Sequence, residues 1–258
     1  LDWDADHLPK ARERLAATGI PFSIHQSNFA ALPKILATEQ LAAVDLVLAD
    51  LGMSSMQVDD AERGFSYVRN GPLDMRMDRS RGRTAAEILA TISEGDLAGA
   101  LRELGDEPHA ERIAHALVTA REQSPLVRTA DVTRVIGESV GQPVTRDAGW
   151  RLRPRPNEWK IHPAARSFQA IRLLVNRELA NLQELLRVLP QWIVRGGRVA
   201  IISFHSGEDR LVKAAFRDGR NRGVYVEASD EPMRASEPEK LANPRARSAK
   251  LRWARRLE

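Results

Sequence analysis

Apolar residues recur along this chain with two different periods. Leu8, Ala11, Leu15 and Ala16 fall three or four positions apart, on one face of a helix, and Gly19 suits its end. Phe22-Ser23-Ile24-His25 reads as a short strand, residues 30–38 as a helix, and residues 44–49 as a strand apolar enough to be buried. Strand and helix in alternation predict a parallel α/β sheet. Between 83 and 156 the pattern becomes purely helical, with breaks near Gly95, Gly105, Pro125, Gly141 and Pro143. Thr84-Ala85-Ala86-Glu87 reads as a capping box that opens this stretch, and 147–157 as the loop that leaves it. Phe168, Ile171, Leu174, Val175, Leu179, Leu182 and Leu186 then keep helical spacing over one long amphipathic segment. Gly196-Gly197 breaks it, 198–204 is a second buried-type strand, and 206–217 another helix. Residues 221–243 carry no pattern and read as a loop, while 250–257 alternate apolar and charged residues like a half-exposed edge strand. The organisation this predicts is an α/β domain in two parts, 1–82 and 157–258, around an all-helical insertion at 83–156.

Composition narrows the chemistry. The 258 residues contain no cysteine, which excludes a disulfide framework, a thiol nucleophile and a thiolate metal site. The six histidines are scattered and the acidic pairs lack ligand spacing, so no metal is expected. No apolar run approaches the ~20 residues that span a bilayer, so no membrane partner is expected, and the lack of cysteine is compatible with the expected cytoplasmic setting. The net charge of +4, carried mostly by arginine, favours an anionic partner such as nucleic acid. Arg245, Arg247, Lys250, Arg252, Arg255 and Arg256 crowd the end of the chain, and Arg151, Arg153, Arg155 and Lys160 form a second cluster.

The strand at 44–49 runs into Asp50-Leu51-Gly52. In open α/β sheets ligands lie beyond the carboxyl ends of the strands, and Asp50 stands there. The plainer role for it is a carboxylate closing a turn. Ser203-Phe204-His205-Ser206 ends the other apolar strand. Its serines and histidine are too close in sequence for a hydrolase triad, and no nucleophile-elbow glycine pattern surrounds them.

The run Asp50-Leu51-Gly52-Met53-Ser54-Ser55-Met56-Gln57 continues into Asp59-Asp60-Ala61-Glu62-Arg63-Gly64-Phe65-Ser66 and Gly71-Pro72-Leu73-Asp74-Met75-Arg76-Met77-Asp78. His162-Pro163-Ala164-Ala165-Arg166-Ser167-Phe168-Gln169, Ile201-Ile202-Ser203-Phe204-His205-Ser206-Gly207-Glu208 and Asn243-Pro244-Arg245-Ala246-Arg247-Ser248 follow in order. Together they resemble the bacterial small-subunit ribosomal RNA (cytosine-N4)-methyltransferase family, RsmH or MraW, over nearly the whole chain. The resemblance implies a Rossmann-like sheet that uses S-adenosyl-L-methionine, interrupted by a helical domain that recognises substrate. Its partner would be small-subunit ribosomal RNA or the assembled small subunit, methylated at N4 of a decoding-centre cytidine.

The resemblance also implies roles for single residues. Asp2, in Leu1-Asp2-Trp3-Asp4, would accept hydrogen bonds from the cofactor ribose, with Asp4 the second candidate for that role or else a helix cap. Phe29 would meet the adenine, its alternative role being ordinary core packing, and Asp50 and Gln57 would complete the cofactor site. Asp50, or a carbonyl of the 51–55 loop, would accept a hydrogen bond from the cytosine amine and help release its proton. The short proline-containing motif of many amino-methyltransferases is replaced here by Asp-Leu-Gly-Met-Ser-Ser. Arg63, Arg76, Arg166, Arg245 and Arg247 are the expected RNA contacts, and Phe204 and His205 would stack on or hydrogen-bond the target base. The family's opening strand and glycine-rich loop have no counterpart before Asp2. That leaves either a segment upstream of Leu1 or a shortened paralogue, in which cofactor binding would be weakened. The competing expectation is a non-catalytic RNA-binding or ribosome-assembly factor that keeps the fold.

Overall fold

The apolar run that ends in Asp50 forms β1 (Val44–Asp50), paired in parallel with β2 (Ile193–Ser203). This computed structural model describes residues 1–141 and 162–257. β2 also pairs antiparallel with β5 (Lys250–Arg256), whose other edge takes β3 (Tyr225–Ala228) and the short β4 (Met233–Arg234). The sheet is therefore mixed, where strand–helix alternation predicted a parallel one. The chain divides into two compact units, Leu1–Gly52 with Glu178–Glu258, and Met53–Arg177.

In the first unit Val47, Ala49, Val199, Ile201 and Ala254 share one sheet face. Onto it pack Leu182, Leu185 and Leu189 of α9 (Glu178–Trp192) and Val212 and Phe216 of α10 (Ser206–Asn221). Three sequence expectations change here. Residues 250–257 are not an edge, because β5 lies inside the sheet. The charge that made it look exposed is Arg252, 2% exposed, whose guanidinium reaches Asp209 at 2.7 Å and the Asp230 carbonyl at 2.9 Å. A satisfied buried arginine imitates the polar half of an exposed strand. Residues 221–243 hold β3, β4 and α11 (Glu237–Ala242), strands too short to show a period and fixed by pairing with β5. Among the described residues Phe22–His25 makes no ladder, and the pairing beside it is the isolated Asp2–Gln26 bridge. β1 is also less buried than its composition predicts. Leu46 and Leu48 are 62% and 63% exposed, because they point to the face opposite the one the core covers.

The second unit is helical, with α3 (Ser55–Asp59), α4 (Ala85–Thr91), α5 (Glu94–Gly105), α6 (Ala110–Gln123), α7 (Thr129–Ser139) and α8 (Pro163–Asn176). It begins before and ends after the 83–156 segment read from the sequence, and has its own core, including Leu73, Leu89, Leu101, Ile113, Ile136, Phe168 and Ile171. The capping box at Thr84 forms as the sequence reads, with Thr84 and Glu87 bonding reciprocally. The amphipathic segment read as one helix is two, α8 and α9, because Arg177 adopts φ 51° between them. A single left-handed residue leaves apolar spacing nearly in phase, so periodicity does not reveal it. The 147–157 loop, the Pro143 break and the Arg151–Lys160 basic cluster lie outside the described residues. Among the described residues no helix is long and apolar enough to cross a membrane.

Candidate active site

The parallel pairing sets Asp50 opposite Ile202, and the Leu51 N–H closes the ladder on the Ile202 carbonyl at 3.0 Å. The chain then turns at Gly52, whose φ of +89° suits glycine. A Cβ there would lie 3.4 Å from Cδ2 of Phe204, so the two strand ends place the Phe204 ring beside the Asp50–Gly52 turn. Straight after β2, His205 caps α10: its Nδ1 accepts the Glu208 N–H at 3.4 Å. Glu208, 2% exposed, returns Oε2 to the Phe204 N–H at 2.9 Å and brings Oε1 within 3.2 Å of His205 Nε2. Its neighbour Asp209 faces β5 instead, pairing with Lys250 at 3.3 Å and Arg252 at 2.7 Å. Solvent reaches Asp50, yet enough protein crowds it to raise its carboxyl above the ordinary value. Desolvation is the larger cause, and the charge of Glu208 adds to it.

Asp2 lies in the same unit. Its backbone bridges to the 25–27 segment, Asp2 N–H to His25 at 3.2 Å and Ser27 N–H to Asp2 at 2.9 Å. Its carboxylate accepts the Asp4 N–H at 2.8 Å and lies 3.2 Å from His7 Nδ1, leaving the side chain 42% exposed. Asp4 is 2% exposed and caps the turn Ala5–His7. Phe29 opens the turn Phe29–Ala31, which Asn28 caps, and packs half-buried against the core that contains Leu51. The oriented, accessible Asp2 carboxylate can accept from a diol, the partly open Phe29 ring can meet a flat base, and the negative charge of Asp50 suits a cationic centre.

The second unit holds the other expected residues. Gln57 is 4% exposed, its Oε1 taken by the Ser54 N–H at 2.8 Å in the capping box of α3. Arg63, expected at an RNA surface, is instead 3% exposed and donates to the Arg76 and Met77 carbonyls at 3.0 Å each. Arg76 is half-buried and grips Asp74 through two bonds of 2.8 and 2.9 Å. Burial alone would raise the Asp74 carboxyl, but the hydrogen bonds and charge of Arg76, with Arg79 behind it, hold it below the usual range. Between them Met75 adopts φ 62° with no exposure, tied by Asn176, which donates to the Met75 carbonyl and accepts the Met77 N–H, both at 2.8 Å. Arg166 is half-buried and reaches the Asp106 carbonyl at 3.2 Å, whereas Arg245 and Arg247 are exposed on either side of buried Ala246.

Sequence reasoning missed Glu208, Asn176 and the stack of Tyr67 on His162, whose ring centroids are 4.5 Å apart. Glu208 had a signal: it stands three residues after a polar cap, the capping-box spacing, with histidine in the place of serine or threonine. Asn176 and Tyr67 had none, since their partners are remote in sequence.

The MraW methylase family model matches residues 1–257. The chain is 43% identical over 271 aligned residues to a ribosomal RNA small subunit methyltransferase H of Acidithiobacillus ferrooxidans, covering all of this chain and 80% of the relative. It is 42% identical over 257 residues to ribosomal RNA small subunit methyltransferase H 1 of Lachnoclostridium phytofermentans, covering 98% of this chain and 68% of that one. Ribosomal RNA small subunit methyltransferase H of Sorangium cellulosum is 41% identical over 257 residues, covering 100% and 76%.

Proposed function

The chain belongs to the MraW methylase family, and on that premise we propose that it methylates N4 of a decoding-centre cytidine in small-subunit ribosomal RNA, with S-adenosyl-L-methionine as donor. The observation that carries the reading is Asp50, a carboxylate of raised proton affinity at the end of a parallel strand, beside an aromatic ring at a glycine turn. The names of the relatives support ribosomal RNA as the substrate.

The donor set of the first unit fits this cofactor. Asp2 would accept the ribose hydroxyls and Phe29 would lie against the adenine, with Asp50 completing the site. Bound there, the cofactor supplies an electrophilic methyl group on a sulfonium. The rest is the work of the protein. The lone pair of a cytosine amine is delocalised into its ring, and an acceptor for one of its N–H bonds draws that pair out of the plane. Asp50 serves as that acceptor. Its raised proton affinity makes it a stronger base than an ordinary aspartate, so it takes the one proton the amine must lose. Solvent contact then lets it pass that proton on. Phe204 offers a face for the target base, and holding amine and methyl in line supplies much of the acceleration. The helical unit, including the 83–156 insertion, recognises the RNA with Arg166, while Arg245 and Arg247 meet phosphates. Arg63 and Arg76 shape the 63–78 loop from within.

Nucleoside mass spectrometry on small subunits lacking the modification, incubated with the protein and S-adenosyl-L-methionine, tests this. N4-methylcytidine is the expected product. Its absence with this chain, and with a form carrying whatever its gene encodes upstream, would overturn the proposal in favour of a non-catalytic RNA-binding role.

A further inference from the structure

Within the first unit, α9 and α10 border a cavity of about 280 Å³. Leu186 and Pro190 of α9 form one wall, and Leu211, Ala214 and Ala215 of α10 the other. Tyr225, the first residue of β3, lines it as well. Its ring stands edge-on to Phe216 at 5.7 Å, and a Cβ on Gly219 would come within 2.4 and 2.6 Å of Cδ2 and Cε2, so only glycine there lets the ring in. Tyr225 is 4% exposed, yet among the described residues its hydroxyl has no hydrogen-bond partner. A buried hydroxyl without a partner is costly, and phenylalanine would fill the same space without that cost. Burial pushes the hydroxyl up to about 12, so it keeps its proton and can donate as well as accept.

The mouth of the cavity is charged, with Arg187 and Arg222 exposed there. Arg187 is held by Glu184 at 2.7 Å. Arg222 uses only its Nε, which donates to the Asp218 carbonyl at 3.3 Å, and among the described residues no carboxylate pairs with it. The Asp218 carboxylate, which also lines the cavity, lies 3.5 Å from Arg217. From floor to mouth the cavity therefore offers a hydroxyl, apolar walls and a guanidinium. A fatty acid would bring its apolar end to the hydroxyl. One turn of a partner helix, about 5 Å long and 10 Å across, needs on the order of 400 Å³. A nucleotide has the matching order: a polar base edge, apolar ring faces, then phosphate. We propose that this cavity binds one unpaired nucleotide of the RNA, its base between the apolar walls with an edge on the Tyr225 hydroxyl and its phosphate on Arg222. The site rests on the proposed RNA substrate. It is remote from methyl transfer, since α10 runs roughly 20 Å from Ser206, beside the strand end, to Gly219, beside Tyr225. It therefore grips the RNA and leaves the reacting base alone.

The chain has two tyrosines, so carbon-13 labelling of tyrosine rings reports Tyr225 by NMR, assigned with Tyr225→Phe. The probes are a single-stranded RNA dodecamer, the same dodecamer as a duplex, the four ribonucleoside 5′-monophosphates, and octanoate. The single strand should move the Tyr225 signals and the duplex should not. Tyr225→Phe should weaken single-strand binding about three- to tenfold, the scale of one hydrogen bond, without lowering the melting temperature. Arg222→Gln should weaken it by a similar factor and flatten the salt dependence of log affinity by roughly 0.7. In methylation assays both variants should raise KM for RNA at unchanged kcat. Tyr225 signals that no RNA moves overturn the proposal, as does movement with octanoate or the monophosphates alone. So does a Tyr225→Phe protein that binds RNA unchanged, or one whose lost affinity merely follows a fallen melting temperature. Tyr225 shifts with RNA in a chain that never methylates support the subsite and overturn the functional reading alone.

Discussion

Asp50 and Asp74 are aspartates with opposite relations to pH. The folded state raises the Asp50 carboxyl, chiefly by desolvation and then by Glu208, so its contribution to stability is fully present below the ordinary value of 3.8 and is lost as pH rises through the folded value. At neutral pH its charge is a cost to stability. Asp50→Asn should therefore raise the melting temperature at pH 7 and confer no such gain below pH 3.8, while slowing methylation by about a hundredfold or more. Calorimetry at the two pH values, with single-turnover assays, checks both halves. Asp74 is lowered instead, because Arg76 outweighs burial, so its stabilisation is present above 3.8 and lost as pH falls through the lower folded value. Asp74→Asn should cost about 2–3 kcal/mol at pH 7, the scale of hydrogen bonds to a charged group, and much less in strong acid. Urea unfolding at neutral and low pH measures the difference.

At the scale of elements, local chemistry and close packing make different demands. Thr84 was legible because its cap needs only Glu87 three residues on, and Thr84→Ala should destabilise by about 1 kcal/mol, read as a lower urea midpoint. Gly197 looked like a helix breaker and sits within β2, where the β1–β2 register shifts. A Cβ there would lie 2.6 Å from Ile193 Cγ2 and 2.9 Å from the carbonyl oxygens of Asp45 and Val194. Gly197→Ala should therefore cost about 1–3 kcal/mol through overpacking, seen as a lower melting temperature. No sequence period announces that constraint, since it comes from atoms on two strands.

At the scale of the whole molecule, two separate hydrophobic cores serve two units. Each core supports its own cooperative transition, so the calorimetric unfolding enthalpy should exceed the van't Hoff value. A ratio of one would show that the units unfold as a single cooperative body. On the proposed reading, exposed Arg245 and Arg247 meet RNA phosphates. Replacing both with Gln should weaken binding across unrelated RNA sequences and flatten the salt dependence of log affinity by roughly 1–2. Filter binding over a salt series reads that slope.

The sequence by itself determined the features that depend on neighbours in the chain: β1 ending in Asp50, the Thr84 cap, the helices of the inserted stretch and the motifs that identify the family. It also located the strand ends at Asp50 and just before Phe204, because a strand's carboxyl end follows from where its apolar run stops. Tertiary structure decided what depends on remote partners. Arg252 reads as surface until Asp209 and the Asp230 carbonyl satisfy it inside the sheet, and Arg63 reads as an RNA contact until two carbonyls take its guanidinium. The physical reason is common to both. Burial of a charge is set by whether distant groups can replace its water, and that balance has no period along the chain.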